Sequence, residues 1–283
     1  MLVVTYENTS FTSKPACTEL DQYIPVRPCG AEEADQKLVR HALNLLRNGY
    51  KSILIRTIDT DVLNLLISYF SQFELDDVNV YAYMINSNKY FNIKAIIQKL
   101  GPVICRALPL FYALSGCDIV SSLYGKGKCK MFDIWLNSAH RKALTEILIQ
   151  LGKTPTRMTE HQMVVLEAYI LDVYGSRAST LAAARYDSFN KSANNDLRSL
   201  APSKDALHQH LLRACYQAGY LWQQSLEEID IPDLESGGWK FHPDTQLFQP
   251  LWTADQQSVT LKHFTTTCSK LESTKVATTL KLN

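Results

Sequence analysis

Residues 51–86 hold the strongest constraint in the chain. "KSILIRT" is a compact β-type run, "DTDVLNLLISYFSQF" restores a helical period, and "VNVYAYMIN", rich in Val and Tyr, reads as a second buried strand. Upstream, "EEADQKLVRHALNLLRNG" sets Leu38, Ala42, Leu45 and Leu46 at helical spacing, with acidic residues in front and Asn48-Gly49 as a stop. Downstream, helices are expected near Ile93–Leu100 and Val103–Ser115. Helix, strand, helix, strand, helix is the order of an α/β unit, a Rossmann-like parallel sheet with helices on both faces. Open sheets of this kind bind ligands at the carboxyl ends of their strands. The segment "RTIDTD", Arg56 to Asp61, lies at such an end.

The chain has 283 residues and is 46% hydrophobic, enough for a substantial core. Its formal net charge is +1, so global electrostatics single out neither a nucleic acid nor a membrane, and any basic surface must be local. Apolar runs are short and broken, and "MLVVTYENTS" lacks the basic start of a signal peptide. The seven cysteines form no C-x-x-C and stand at no zinc-finger spacing. Buried reduced thiols in an intracellular protein, nuclear or cytoplasmic, are the expectation.

After Gly127 the pattern turns helical through "SKDALHQHLLRACYQAGYLWQQSL". Thr159 with Gln162 forms a capping-box signature and Ser203 a cap. "GGWKFHPDTQLFQPLW" reads as a β-hairpin around Pro243-Asp244. Trp135, Tyr169, Tyr174, Tyr216, Tyr220 and Trp222 fall at core spacing. The expected organisation is a core over 1–137, a helical region over 138–230, a hairpin segment over 231–253 and a loosely held polar tail over 254–283.

Carboxylates recur at three informative places: Glu33 and Asp35 at the front of the first helix, Asp59 and Asp61 at a strand end, and Asp118 in "ALSGCDIVSSLYGKGK". Singly, each has a structural explanation as a helix cap, a partner of the helix dipole or a turn residue. Together they offer what a Mg²⁺ or Mn²⁺ site needs, oxygen ligands converging from separate elements. Two such ions can activate a water and stabilise a leaving oxygen in phosphoryl transfer. Asp59 and Asp61, spaced i, i+2 across the strand end, can both point into one crevice, and Glu33 and Asp35 can reach it from a neighbouring helix start.

The order "EEAD", "IRTIDTDVLNLL", "LSGCDIVSSLYGKGK" resembles the core of the flap-endonuclease branch of the PIN-like nucleases. It is similar also to a group of mobile-element-associated proteins that carry EEADTR, DTDV and ALTGCDT with GKGK. By this resemblance, Glu33 and Asp35 match the acidic pair of the helix motif, Asp59 and Asp61 the strand pair, and Asp118 the aspartate after glycine. The resemblance implies a PIN-like fold and a divalent-metal-dependent, structure-selective nuclease acting on DNA, with RNA as an alternative. It also implies a chain that begins near the middle of that fold, because the opening strand with its aspartate has no counterpart. Ile119 stands where flap nucleases carry Tyr, and Gln36-Lys37 where the mobile-element group carries Thr-Arg. A non-catalytic nucleic-acid or protein interaction module on the same fold is the alternative function.

The densest basic group is Lys126, Lys128 and Lys130, interleaved with Gly125 and Gly127. Such glycines let backbone N–H groups approach a phosphate, and the lysines add salt-dependent affinity. No base-reading motif accompanies them, so contact with the nucleic-acid backbone is expected rather than sequence recognition.

Overall fold

The computed structural model of the chain describes residues 2–6, 9–13, 21–22, 34–153, 157–191, 197–227 and 229–251; Glu33 and the expected tail over 254–283 lie outside them. Strands β1 (Leu2–Tyr6), β2 (Thr9–Ser13) and β3 (Asp21–Gln22) form a small antiparallel sheet. Helix α1 (Ala34–Arg47) follows, then β4 (Ser52–Thr57), α2 (Thr60–Phe70) and β5 (Asn79–Met84). β4 and β5 pair in parallel from Ser52↔Asn79 to Thr57↔Met84. That pairing and its intervening helix are what the alternation of patterns predicts.

The prediction of an all-parallel sheet with helices on both faces is corrected in two ways. After β5 a 3₁₀ turn at Ile85–Ser87 and Asn88, in the left-handed region at φ 52°, reverse the chain. β6 (Lys89–Asn92) therefore returns antiparallel, and the sheet β4-β5-β6 is mixed. Four residues, "KYFN", are too few for alternation to announce a strand in sequence. The second correction concerns coverage. Ile53, Ile55, Thr57, Val80, Ala82 and Met84 point into the core, whereas Leu54, Arg56 and Tyr81, on the other face, are exposed. Among the described residues, helices cover one face of this sheet.

The rest of the chain is helical: α3 (Ile93–Leu100), α4 (Pro102–Leu114), α5 (Lys128–Asn137), α6 (Arg141–Lys153), α7 (Glu160–Tyr174), α8 (Leu181–Lys191) and α9 (Lys204–Tyr216). The capping box of α7 forms as its sequence requires, Thr159 Oγ1 accepting from Gln162 N and Gln162 Oε1 from Thr159 N. Ser203 caps α9. Strands β7 (Trp239–His242) and β8 (Leu247–Pro250) make the expected hairpin.

α4 is the centre. Its apolar residues, Ile104 through Leu114, are buried almost all round, which marks a helix enclosed by other elements. α2, α3, α6 and α9 pack on it, so one core runs from the sheet into the helical region. Trp135, Tyr169, Tyr216 and Trp222 are buried in or against that core, as their spacing indicates. Polar anchors then fix the register. His210 Nε2 lies 2.8 Å from the Leu114 carbonyl, one of the unpaired acceptors at the end of α4, and its burial holds the imidazole below its usual range. Trp135 Nε1 donates to Thr145 Oγ1, and the Tyr169 hydroxyl to the Met131 carbonyl. Cys105 and Cys215 are free buried thiols as expected, whereas Cys117 is half-buried and Cys129 is exposed.

Helix α6 meets α4 at Gly152. A Cβ there would stand 2.9 Å from Leu110 Cβ of α4. Gly152→Val should lower stability by about 1–3 kcal/mol, the range of overpacking in a tight core. Chemical denaturation with tryptophan fluorescence would measure it, and an unchanged midpoint would show that α6 moves freely.

Candidate metal and nucleic-acid site

The site grows from the carboxyl end of β4. Thr57 is its last residue, buried, and its Oγ1 accepts from Asp59 N at 3.0 Å. Asp59, extended at φ −102° and ψ 134°, is the N-cap of α2 and accepts from Asp61 N at 2.8 Å. The structural explanation of Asp59 thus holds, and it also has a chemical consequence. A capping carboxylate holds Asp61 in the first helical turn, beside the positive end of the α2 dipole.

Asp118 reaches the same place from a different element. Cys117 and Val120 exchange both backbone hydrogen bonds, 2.9 and 3.1 Å, and so hold Asp118 and Ile119 at the tip of a tight turn. Gly116 makes the turn possible. Its φ is +106°, and a Cβ there would fall 2.7 Å from Ser122 Cα. "SGCD" is therefore a conformational motif as much as an acidic one.

Asp35, in the first turn of α1, completes the described set. Burial raises its pKa, and the charges of Asp59 and Asp118 raise it further. Asp61 is pushed up to about 6, first by burial and then by Asp59 and Asp118. A hydrogen bond with Tyr112 and the nearby Lys128 charge pull against that rise. Asp35 thus feels the charge of Asp118, 83 residues away in sequence. Asp59 and Asp118 lie within electrostatic reach of both Asp35 and Asp61, and Glu33 lies outside the described residues.

Lys128 is the correction within the basic group. Sequence reading assigns it to a phosphate-binding turn, but its ammonium is directed inward. Nζ donates to the carbonyls of Tyr112, at 3.2 Å, and Gly116, and to Ser115 Oγ at 3.3 Å, and lies 3.7 Å over the Tyr112 ring. The last turn of α4 offers unpaired carbonyls and a negative dipole end, which attract a cation. Burial lowers the Lys128 pKa, while Asp61 and Cys117 act to raise it. Lys126 also folds back, 4.4 Å over the Tyr174 ring, whereas Lys130, Gly125 and Gly127 remain exposed. Gly127 caps α5 without a side-chain hydrogen bond, so the N–H groups of that first turn face outward unclaimed by a cap.

Tyr112 and Thr60, hydrogen-bonded to each other through their hydroxyls, belong to the site and escape sequence reading. Tyr112 sits on a helix whose pattern announces only core. Its position six residues before Asp118 is the one clue, and it carries no chemistry by itself.

The donor set is all oxygen, the chemistry of hard cations. Among the described residues, no three His, Cys, Asp or Glu side chains close into a ready-made metal cage. A hydrated Mg²⁺ ion, which is held through one or two carboxylates and keeps several waters, does not require such a cage. No family model, curated protein or solved structure matches the chain. No helix among the described residues is long and apolar enough to cross a membrane.

The raised Asp61 pKa has a definite sign in stability. The folded chain binds this proton more tightly than the unfolded chain, so Asp61 favours folding below about pH 4. That contribution is lost as pH rises through about 6. In chelator, Asp61→Asn should raise Tm at pH 7.5 and change it little at pH 4. Equal shifts at both pH values in thermal melts would contradict the charge crowding. Gly116→Ala should destabilise the fold at every pH by roughly 1–3 kcal/mol, because its Cβ forces the turn open, and thermal melts should show the lower Tm.

Proposed function

We propose that this chain is a divalent-metal-dependent nuclease with a PIN-like fold, hydrolysing phosphodiesters in DNA or RNA. The observation that carries the reading is the meeting of Asp35, Asp59, Asp61 and Asp118 at the carboxyl end of a parallel β4–β5 pair. Burial and the charges of Asp59 and Asp118 raise the pKa of Asp35 and Asp61, and a divalent cation is the natural counterweight to such a cluster.

Asp61 and Asp59 would hold the ion, with Asp118 or Asp35 as a further oxygen ligand or as acceptors for its waters. The bound ion supplies an activated water and charge stabilisation for the departing oxygen. Asp59 has a second task, since its cap bond keeps Asp61 from turning away. Lys128 places a fixed positive charge beside the carboxylates and lessens their repulsion of an incoming phosphate. Gly125, Gly127 and the open first turn of α5 would accept a neighbouring backbone phosphate, with Lys130 adding a salt-dependent contact. This mode reads the backbone and not the sequence.

The test is cleavage of labelled single-stranded and flap substrates with Mg²⁺ or Mn²⁺, compared with Asp61→Asn. Activity should be abolished by chelator and fall at least about 100-fold in the variant. Cleavage that survives either change would sink the reading. Lys128, bonded into the α4 terminus, favours a second reading, a non-catalytic nucleic-acid or protein interaction module. Salt-dependent binding indifferent to chelator, with no cleavage in either metal, would select it.

A further inference from the structure

The face of the β4-β5-β6 sheet that no described helix covers is built from two rows across the strands. Leu54, Tyr81 and Asn92 form one row, and Arg56, Tyr83 and Tyr90 the next. Tyr90 is 65% exposed, Leu54 57% and Tyr81 37%. Sheets with parallel pairs are ordinarily covered on both faces, and an apolar surface beside a crevice marks a place where something binds.

The chemistry of the rows selects the occupant. Neither row contains a carboxylate, and their one charge is Arg56, whose guanidinium lies 5.7 Å over the Tyr83 ring centroid. Tyr83 and Tyr90 lean together with centroids 4.7 Å apart at 32°. The hydroxyls are secured by amides, Tyr83 donating to Asn88 Oδ1 at 2.8 Å and Tyr81 accepting from Asn92 Nδ2 at 3.4 Å. These bonds hold the rings before any ligand arrives, so less ordering is required on binding. Asn86 bonds the Ile58 carbonyl, tying the β5–β6 turn to the strand end from which Asp59 starts. Aromatic faces, a guanidinium and an amide rim suit flat bases on a polyanionic strand.

We propose that this face is a stacking platform for unpaired bases, binding a single-stranded nucleic acid whose backbone continues to the carboxylates at the end of β4. The continuation to the carboxylates rests on the nuclease reading, whereas the stacking does not. Tyr90 offers the open ring, Tyr83 and Arg56 support it from beneath, and Tyr81 with Leu54 takes the next base along the strand. Duplex DNA has no free base faces to present, so the platform distinguishes strand state and tolerates any sequence.

The test is fluorescence anisotropy with the full chain in chelator, where cleavage is silent, using a labelled oligothymidylate of about twelve nucleotides. Tyr90→Ala should weaken binding about 5- to 100-fold, the loss of one base stack, and Tyr90→Phe should stay within about twofold. Arg56→Gln should weaken binding and lower the salt slope by about 0.7. A blunt duplex should compete at least about tenfold less well than the single strand. Wild-type affinity in both Tyr90→Ala and Arg56→Gln would overturn the proposal, as would equal competition by duplex. It would equally fall if sedimentation showed a dimer dissociated by Tyr90→Ala with oligonucleotide affinity untouched, for the face would then join two copies. The two readings separate cleanly. Metal-dependent cleavage indifferent to Tyr90→Ala sinks the platform alone, while Tyr90-dependent binding without cleavage in either metal sinks the nuclease alone.

Discussion

The burial of α4 organises this molecule. A helix reading "PVICRALPLFYAL" has no polar side wide enough to face water, so other helices must surround it, and α2, α3, α6 and α9 do. Its last turn then ends inside the protein with carbonyls that need donors. His210, from α9, takes the Leu114 carbonyl, and Lys128, from the start of α5, takes that of Tyr112 together with the Gly116 carbonyl just past the helix. Satisfying these acceptors brings the turn carrying Asp118 and the N-terminus of α5 beside the first turn of α2. The acidic site is in this sense a by-product of closing the end of one buried helix.

The same arrangement explains why a lysine stands among aspartates. Four carboxylates gathered by helix starts and turns would repel strongly in a partly buried setting. Lys128 relieves part of that repulsion without cancelling it, since Asp61 remains raised to about 6. What is left is a cluster of carboxylates beside one lysine, and on the proposed nuclease reading a divalent cation would balance it. The sheet that delivers Asp59 and Asp61 is covered on one side and carries tyrosines on the other, so the strand ends are shared between two different surfaces.

How much of this was legible beforehand differs by element. Helices α2, α4 and α7 were legible because their caps, periods and lengths are local properties, and the capping box of α7 appears where Thr159 and Gln162 require it. The parallel β4–β5 pair followed from the strand–helix–strand order. β6 did not, because four residues and a left-handed Asn88 leave no periodic trace. The carboxylates were legible as candidates from residue type and order. Tyr112 and the inward turn of Lys128 were not, since each depends on an atom contributed by a segment distant in the chain.

The amino-acid sequence by itself determined the order of strands and helices, the cap at Asp59, the turn at Gly116 and which carboxylates were available. These are set by hydrophobic period, backbone dihedral freedom and side-chain hydrogen bonds within a few residues. Only the tertiary structure decided that Asp118 acts on both Asp35 and Asp61, that Lys128 joins them, and that the described helices leave one sheet face open. Charge coupling and burial depend on distance in space, and a linear pattern carries no measure of it.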